Sequence, residues 1–378
     1  MNKFEEIFHL DKDFIANLGQ DLSNHCVLSK FNKDYEIVQS IGVGKFSEVF
    51  ECNHIITGEN CAVKVLDKSR ILQKDGFGQT LYEITLLKSL DEPKNNFTTS
   101  LKYIYEGNKY LYLVTDKFHG GNLFEHYISC KDSFTELDCL RVITSGLKGL
   151  AYLEKKQIIH RDIKPANMVL KEKNDIDNCT IIDFGLSVKT SDIMIKDSAV
   201  ELVVGTPGYM APEMLRGKAY DCKVDVFSLG CTLYLLLFEK QLFYLKDKRE
   251  CLELNKQCPF EKTLKHDLKD KVHMFDNGTM DLLRQMTKKD PSERPYASEL
   301  LNHPIIRVAE EFKDQITKKQ NIKKTNLTSM PTEPSSMTKK KLGSVLKKIK
   351  DTFSRQSKSK NLKEFPVEKL TTKECEFL

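Results

Sequence analysis

The chain contains no tryptophan, and no two of its eleven cysteines stand in a Cys-x-x-Cys pair. The cysteines are scattered from Cys26 to Cys375. That pattern argues against a secreted disulfide framework and for reduced thiols in a cytoplasmic setting, with nuclear access open. An apolar run long enough to cross a membrane is also missing. The longest, Val226 to Phe238, is too short for a span and follows Asp225, so a buried core helix is expected there. The first ten residues carry acids and have no apolar core, so no signal peptide is expected. Overall charge is weak at +5, but it is unevenly held. From Ile305 to Leu378 there are 18 Lys+Arg against 9 Asp+Glu, which leaves −4 on the residues before them. The basic character belongs to the tail, and no nucleic-acid partner is expected.

What is present is a change of pattern along 378 residues, a length that allows one two-part domain with flanking segments. Residues 1–33 form a polar extension with a weak helical pattern. Short β-rich runs follow at Tyr35–Gly42, Ser47–Cys52, Asn60–Leu66 and Leu111–Asp116, separated by turn signals such as Thr57-Gly58 and Glu106-Gly107-Asn108. One helical stretch, Leu81–Leu90, interrupts them. After Gly121 the apolar spacing is helical, as in Leu137–Glu154 and Val224–Phe238. The expected architecture is α+β: a small β-rich part, about 34–116, with one key helix, then a larger and mainly helical part, about 119–307. Thr317–Lys341 is Lys-, Asn-, Ser- and Thr-rich, so a disordered linker is expected within the 308–378 tail.

Chemistry concentrates in His160-Arg161-Asp162-Ile163-Lys164-Pro165-Ala166-Asn167, with Asp183-Phe184-Gly185 downstream. These supply a carboxylate able to accept a hydroxyl proton, a lysine suited to transferred phosphate, and an amide and a second carboxylate suited to Mg²⁺. Upstream, Gly42-Val43-Gly44-Lys45-Phe46-Ser47-Glu48-Val49 lies between two predicted strands, where glycines let backbone N–H groups approach phosphate. Such a turn is weak evidence alone, and its third position is Ser47 rather than glycine. Cys61-Ala62-Val63-Lys64 puts a lysine on a strand among apolar neighbours, and Glu83 on the predicted helix offers it a partner.

In this order, with Ala211-Pro212-Glu213, Asp225-Val226-Phe227-Ser228-Leu229-Gly230 and Pro291-Ser292-Glu293-Arg294-Pro295, the motifs resemble the eukaryotic protein kinases over about Tyr35–Arg307. The resemblance implies the bilobal kinase fold over 34–307 and ATP and Mg²⁺ as cofactors. It gives Asp162, Lys164, Lys64 and Glu83 catalytic roles and makes Asn167 and Asp183 metal ligands. Nucleotide would be held by Ile41, Gly42, Gly44, Lys45, Val49, Ala62, Lys64, Asp116, Phe118, Asn167, Val169 and Asp183, with Thr115 as a small gatekeeper before the hinge. Glu213 would pair with Arg294 and Asp225 would cap the catalytic-loop backbone. Phe227 stands where the family usually has tryptophan. Lys164-Pro165 and Gly205-Thr206-Pro207 resemble the serine/threonine type, and Leu186 resembles members that favour serine. The implied partners are protein substrates. Acids that select upstream arginines are replaced by Asn122, Ala166 and Leu235, so weak selection for Arg at −2 and −3 is expected. The competing reading is a nucleotide-binding scaffold that recruits partners through its tail.

Regulation is thinner. Leu202 occupies the position where many relatives carry a phosphorylated threonine, beside Glu201, with Ser198 the nearest hydroxyl. In the tail, Leu342, Val345, Leu346, Ile349 and Phe353 form one face of a helix expected over 340–353, with Lys341, Lys347, Lys348 and Lys350 around it and Arg355, Lys358 and Lys360 beyond. Such a helix after a kinase domain resembles the calcium/calmodulin-dependent group. It suits calmodulin, the enzyme's own cleft or an anionic membrane, and equally a solvated basic tail or nuclear-import patch.

Overall fold

The computed structural model describes residues 26–27, 30–43, 47–72, 76–90, 95–194, 203–217, 219–269 and 274–313. Gly44, Lys45, Ser198, Glu201, Leu202 and the expected helix over 340–353 lie outside them. The chain divides into two compact units. One runs to His119 and takes in Ile182–Ser187; the other holds Gly120–Ile181 and everything from Val188 onward.

The small unit is a six-stranded sheet in the order Cys26–Val27, Leu101–Glu106, Tyr110–Asp116, Asn60–Asp67, Ser47–His54, Tyr35–Val43. All neighbours are antiparallel except Cys26–Val27, which lies parallel to Leu101–Glu106 and places Cys26 opposite Ile104. Sequence reading missed two of these strands, Cys26–Val27 and Leu101–Glu106. Tyr35–Val43 carries irregularities between Ile37 and Gln39 and between Ser40 and Gly42, just before the glycine-rich turn. An extra residue there bends the strand and re-aims its last residues.

Alternation along the strands sends Cys52, Cys61, Val63, Tyr105 and Val114 into one core with Phe31 and Tyr35. Phe31 lies on the short helix Phe31–Asp34. Its ring stacks on Tyr35 at 5.4 Å and Tyr112 at 4.6 Å and meets Tyr105 edge-on at 5.7 Å. The helix Gly76–Ser89 begins five residues before the expected start and buries Ile84, Leu86 and Leu87.

In the large unit, Glu136–Lys155 starts at a reciprocal cap: Thr135 Oγ1 accepts from the Asp138 amide, and Asp138 accepts from the Thr135 amide. Lys223–Phe238 is buried on every side from Val224 onward, as expected of a helix apolar all round. Among the described residues no helix is long and apolar enough to cross a membrane. Two short antiparallel pairs, Met168–Leu170 with Cys179–Ile181 and Ile158–Ile159 with Val188–Lys189, flank the loop that carries Asp162.

Arg294, fully buried, fixes the frame. Its Nη1 donates to Glu213 Oε1 at 2.6 Å and the Lys223 carbonyl at 2.9 Å. Its Nη2 donates to Glu213 Oε2 at 3.2 Å and the Lys288 carbonyl at 2.7 Å, and Nε reaches the same carbonyl at 3.0 Å. All five donors of the guanidinium are used. The Phe227 ring lies 4.9 Å from the guanidinium carbon, a cation–π contact that needs no indole N–H.

Candidate active site

In the small unit, Lys64 sits on Asn60–Asp67, opposite Val49 on one side and Leu113 on the other. Its ammonium donates to Glu83 Oε1 at 2.6 Å, and Asp183 Oδ1 lies 3.7 Å away. Burial works against the lysine charge, yet Glu83 and Asp183 outweigh it and hold the group above the ordinary lysine range. Glu83 is buried by the helix, whereas the Asp183 side chain is 54% exposed. The trio is therefore rigid on the helix side and open on the Asp183 side, where a ligand can reach it.

The Asp183 turn is strained. Its φ of +64° lies in the left-handed region, which costs about 1–2 kcal/mol for a residue with a Cβ. The turn is held by Gly185 N–H donating to Asp183 Oδ1 at 3.3 Å and by Ser187 N–H donating to the Phe184 carbonyl at 3.0 Å. A Cβ on Gly185 would come within 3.2 Å of Asp183 Oδ1 and within 4 Å of both Glu83 and Lys64. Glycine is what lets the turn close on the ion trio.

The remaining candidates of this unit line the sheet. Gly42 pairs with Val49, Ala62 is buried opposite Thr115, and Ile41 is 42% exposed. Asp116 ends its strand opposite Cys61, and its carboxylate takes Lys102 at 3.0 Å and Ser100 Oγ at 2.5 Å. Phe118 is half-buried just after it.

In the large unit the loop from His160 to Asn167 is wired from inside. Buried Asp225 accepts the amides of His160 at 2.7 Å and Arg161 at 2.9 Å. Burial pushes the Asp225 carboxyl above its usual range, while His160 and the two amides pull the other way. Arg161 has φ +69°, and its guanidinium donates to Tyr220 Oη at 3.3 Å. The loop is thus held in a conformation that residues with side chains rarely adopt.

The result is a closed ring around Asp162. Thr206 Oγ1 donates to Asp162 Oδ1 at 2.6 Å and accepts from Lys164 Nζ at 2.8 Å. Lys164 Nζ also lies 3.2 Å from Asp162 Oδ2. Asn167 Nδ2 donates to the Asp162 carbonyl at 2.8 Å and to Oδ2 at 2.9 Å. A carboxylate has about four acceptor directions. Three are taken here, and a hydroxyl can use the next. With its nitrogen committed to Asp162, the Asn167 amide is left to present its oxygen. Val169 is buried in the strand just after it, paired with Thr180.

Residues 35–306 match the protein kinase domain family. The chain belongs to the eukaryotic protein kinases. It is 34% identical over 280 residues to calcium-dependent protein kinase 4 of Plasmodium berghei, covering 74% of this chain and 50% of that protein. To calcium-dependent protein kinase 4 of Plasmodium falciparum it is 39% identical over 209 residues, 55% of this chain and 38% of that one. To serine/threonine-protein kinase cds1 of Schizosaccharomyces pombe it is 32% identical over 285 residues, 72% of this chain and 58% of that one. The chain therefore spans about half the length of the curated relatives it matches.

Sequence reasoning left several participants off the kinase site. Thr206 was read only as a marker of substrate type, although it bridges Asp162 and Lys164. Gln79 was not singled out, although its amide donates to the Gly185 carbonyl at 2.6 Å. Its one available signal was its position, four residues before Glu83 on a helix. The positions read as lacking arginine-selecting acids are otherwise engaged: Asn122 caps the helix Leu123–Cys130 through the Glu125 amide, and Leu235 is buried.

Proposed function

We propose that this kinase transfers the γ-phosphoryl group of ATP to serine and threonine hydroxyls of proteins, with serine favoured and with weak selection for upstream arginine. The observation that carries the proposal is the Asp162–Thr206–Lys164–Asn167 ring, which a scaffold with no phosphoryl transfer has no need to build. Asp162 orients the attacking hydroxyl and accepts its proton as the new O–P bond forms. Lys164 offsets charge on the group in transfer. Lys64, steadied by Glu83, meets the α/β-phosphates. Gly42, Gly44, Lys45, Ile41, Val49, Ala62 and the hinge at Asp116 and Phe118 position the nucleotide, and Val169 offers it an apolar contact. Positioning and charge neutralisation then supply the rate.

The donor set suits Mg²⁺. Asn167 offers an amide oxygen and Asp183 a half-exposed carboxylate, both hard oxygen ligands of the kind that ion takes with phosphate oxygens. Held by Asn167 and Asp183, such an ion would offset the negative charge of the phosphates. Asp162→Asn keeps the shape of the side chain and removes the proton acceptor. In a radiolabelled ATP assay on a mixed serine and threonine peptide array, it should lower transfer at least a hundredfold. A variant with wild-type turnover would overturn the proposal.

A further inference from the structure

Resting on that reading, we propose that Gln79 is a positioning residue that latches the Asp183-Phe184-Gly185 turn to the helix carrying Glu83. Gln79 and Glu83 are one turn apart on Gly76–Ser89 and so share a face. Glu83 grips the turn indirectly, through Lys64 and on to Asp183. Gln79 grips it directly, its Nε2–H donating to the Gly185 carbonyl at 2.6 Å. Thus one helix face holds both ends of a three-residue turn, its first side chain and its last carbonyl.

The turn needs such a grip. Asp183 sits at φ +64°, and a conformation of that kind persists only where its surroundings over-determine it. The contacts within the turn include a long hydrogen bond at 3.3 Å from the Gly185 amide and one at 3.0 Å from the Ser187 amide. Gly185 has no side chain with which to anchor itself, and a Cβ there would crowd Asp183. The Gln79 amide supplies from the helix what glycine cannot supply itself. Because the link is a neutral amide to a carbonyl, it holds without a charged group and is insensitive to salt.

The chemistry of the link gives it a distinctive test. Glutamate has the shape of glutamine, but its carboxylate only accepts; once protonated it donates again. In the full-length chain without nucleotide, Gln79→Ala should raise amide exchange across 183–187 about fivefold, the loss expected of one exposed hydrogen bond. Turnover should fall by a similar factor while the variant stays folded by circular dichroism. Gln79→Glu should match the alanine variant at pH 8. Its ratio to wild type should climb back toward one as the pH is lowered through the ordinary glutamate range to about 4.3, whereas the alanine ratio stays flat.

The latch is refuted by unchanged exchange across 183–187 in Gln79→Ala, or by a Gln79→Glu ratio that does not vary with pH. Failure of the kinase reading is separate: there, wild type and Asp162→Asn would transfer phosphate equally poorly.

Discussion

His126 lies half-buried on the helix Leu123–Cys130, with Phe134 edge-on at 6.2 Å and Cys130 Sγ 3.7 Å from its Nε2. Burial lowers its pKa below the ordinary 6.5, and Asp138 only partly opposes that. The folded chain therefore binds a proton here less readily than the unfolded chain does. The sign is set by linkage: stability is full above about pH 6.5 and drains away as pH falls from there through the lowered value. Urea midpoints should accordingly drop from pH 7.5 to 5.5 more steeply in wild type than in His126→Gln. Parallel slopes would show that the imidazole titrates freely. The buried thiols behave in the opposite sense. Burial pushes Cys52 up to about 12 and Cys258 up to about 11, so neither is a thiolate at neutral pH.

At the scale of elements, the segment ahead of the family match matters most. The family match begins at residue 35, yet Phe31 is buried among three tyrosine rings and Cys26–Val27 adds a strand along Leu101–Glu106. That strand would otherwise present an open edge. Cys26–Val27 and Phe31–Asp34 are therefore part of the small unit's fold. Phe31→Ala should destabilise that unit by about 3–5 kcal/mol, the cost of emptying a buried phenylalanine site. Denaturant unfolding followed by tyrosine fluorescence checks it, and a change under 1 kcal/mol would mean the rings close without Phe31.

This element was not legible from the sequence because two residues carry no periodicity and their partner lies more than seventy residues away. Leu101–Glu106 failed for a related reason, since its Leu-Lys-Tyr-Ile-Tyr-Glu pattern buries only Leu101, Ile104 and Tyr105 and follows no simple alternation. Gly76-Phe77-Gly78 concealed the start of the helix, because glycine there reads as a turn. The loop from His160 to Asn167 was legible for the opposite reason. Asp162, Lys164 and Asn167 are bound to one another within a few residues, so spacing alone carries their geometry. Thr206 reaches Asp162 across 44 residues, and Gln79 reaches Gly185 across 106, separations that no local pattern encodes.

For the whole molecule, the two units carry separate stabilising devices. The small unit rests on the aromatic cluster around Phe31. The large one rests on the Arg294–Glu213 pair, where neither side chain is more than 8% exposed. Removing one partner of such a pair leaves a charge buried without its counterion, which costs about 3–5 kcal/mol, even though replacing both can be neutral. Units with their own cores can unfold as separate cooperative blocks. Differential scanning calorimetry of the full chain should then resolve two transitions. Arg294→Met should lower one by on the order of 10 °C, and Phe31→Ala the other. The chain path sets a limit to this independence, since Ile182–Ser187 belongs to the small unit but is reached only through Gly120–Ile181. With the large unit melted, Gly120–Ile181 becomes a long flexible loop whose closure costs entropy, so the Asp183–Lys64 contact should loosen. Arg294→Met should therefore raise amide exchange at 182–187 while leaving the Phe31 cluster protected. A single transition that both variants lower equally would show that the molecule melts as one block and that neither device is local.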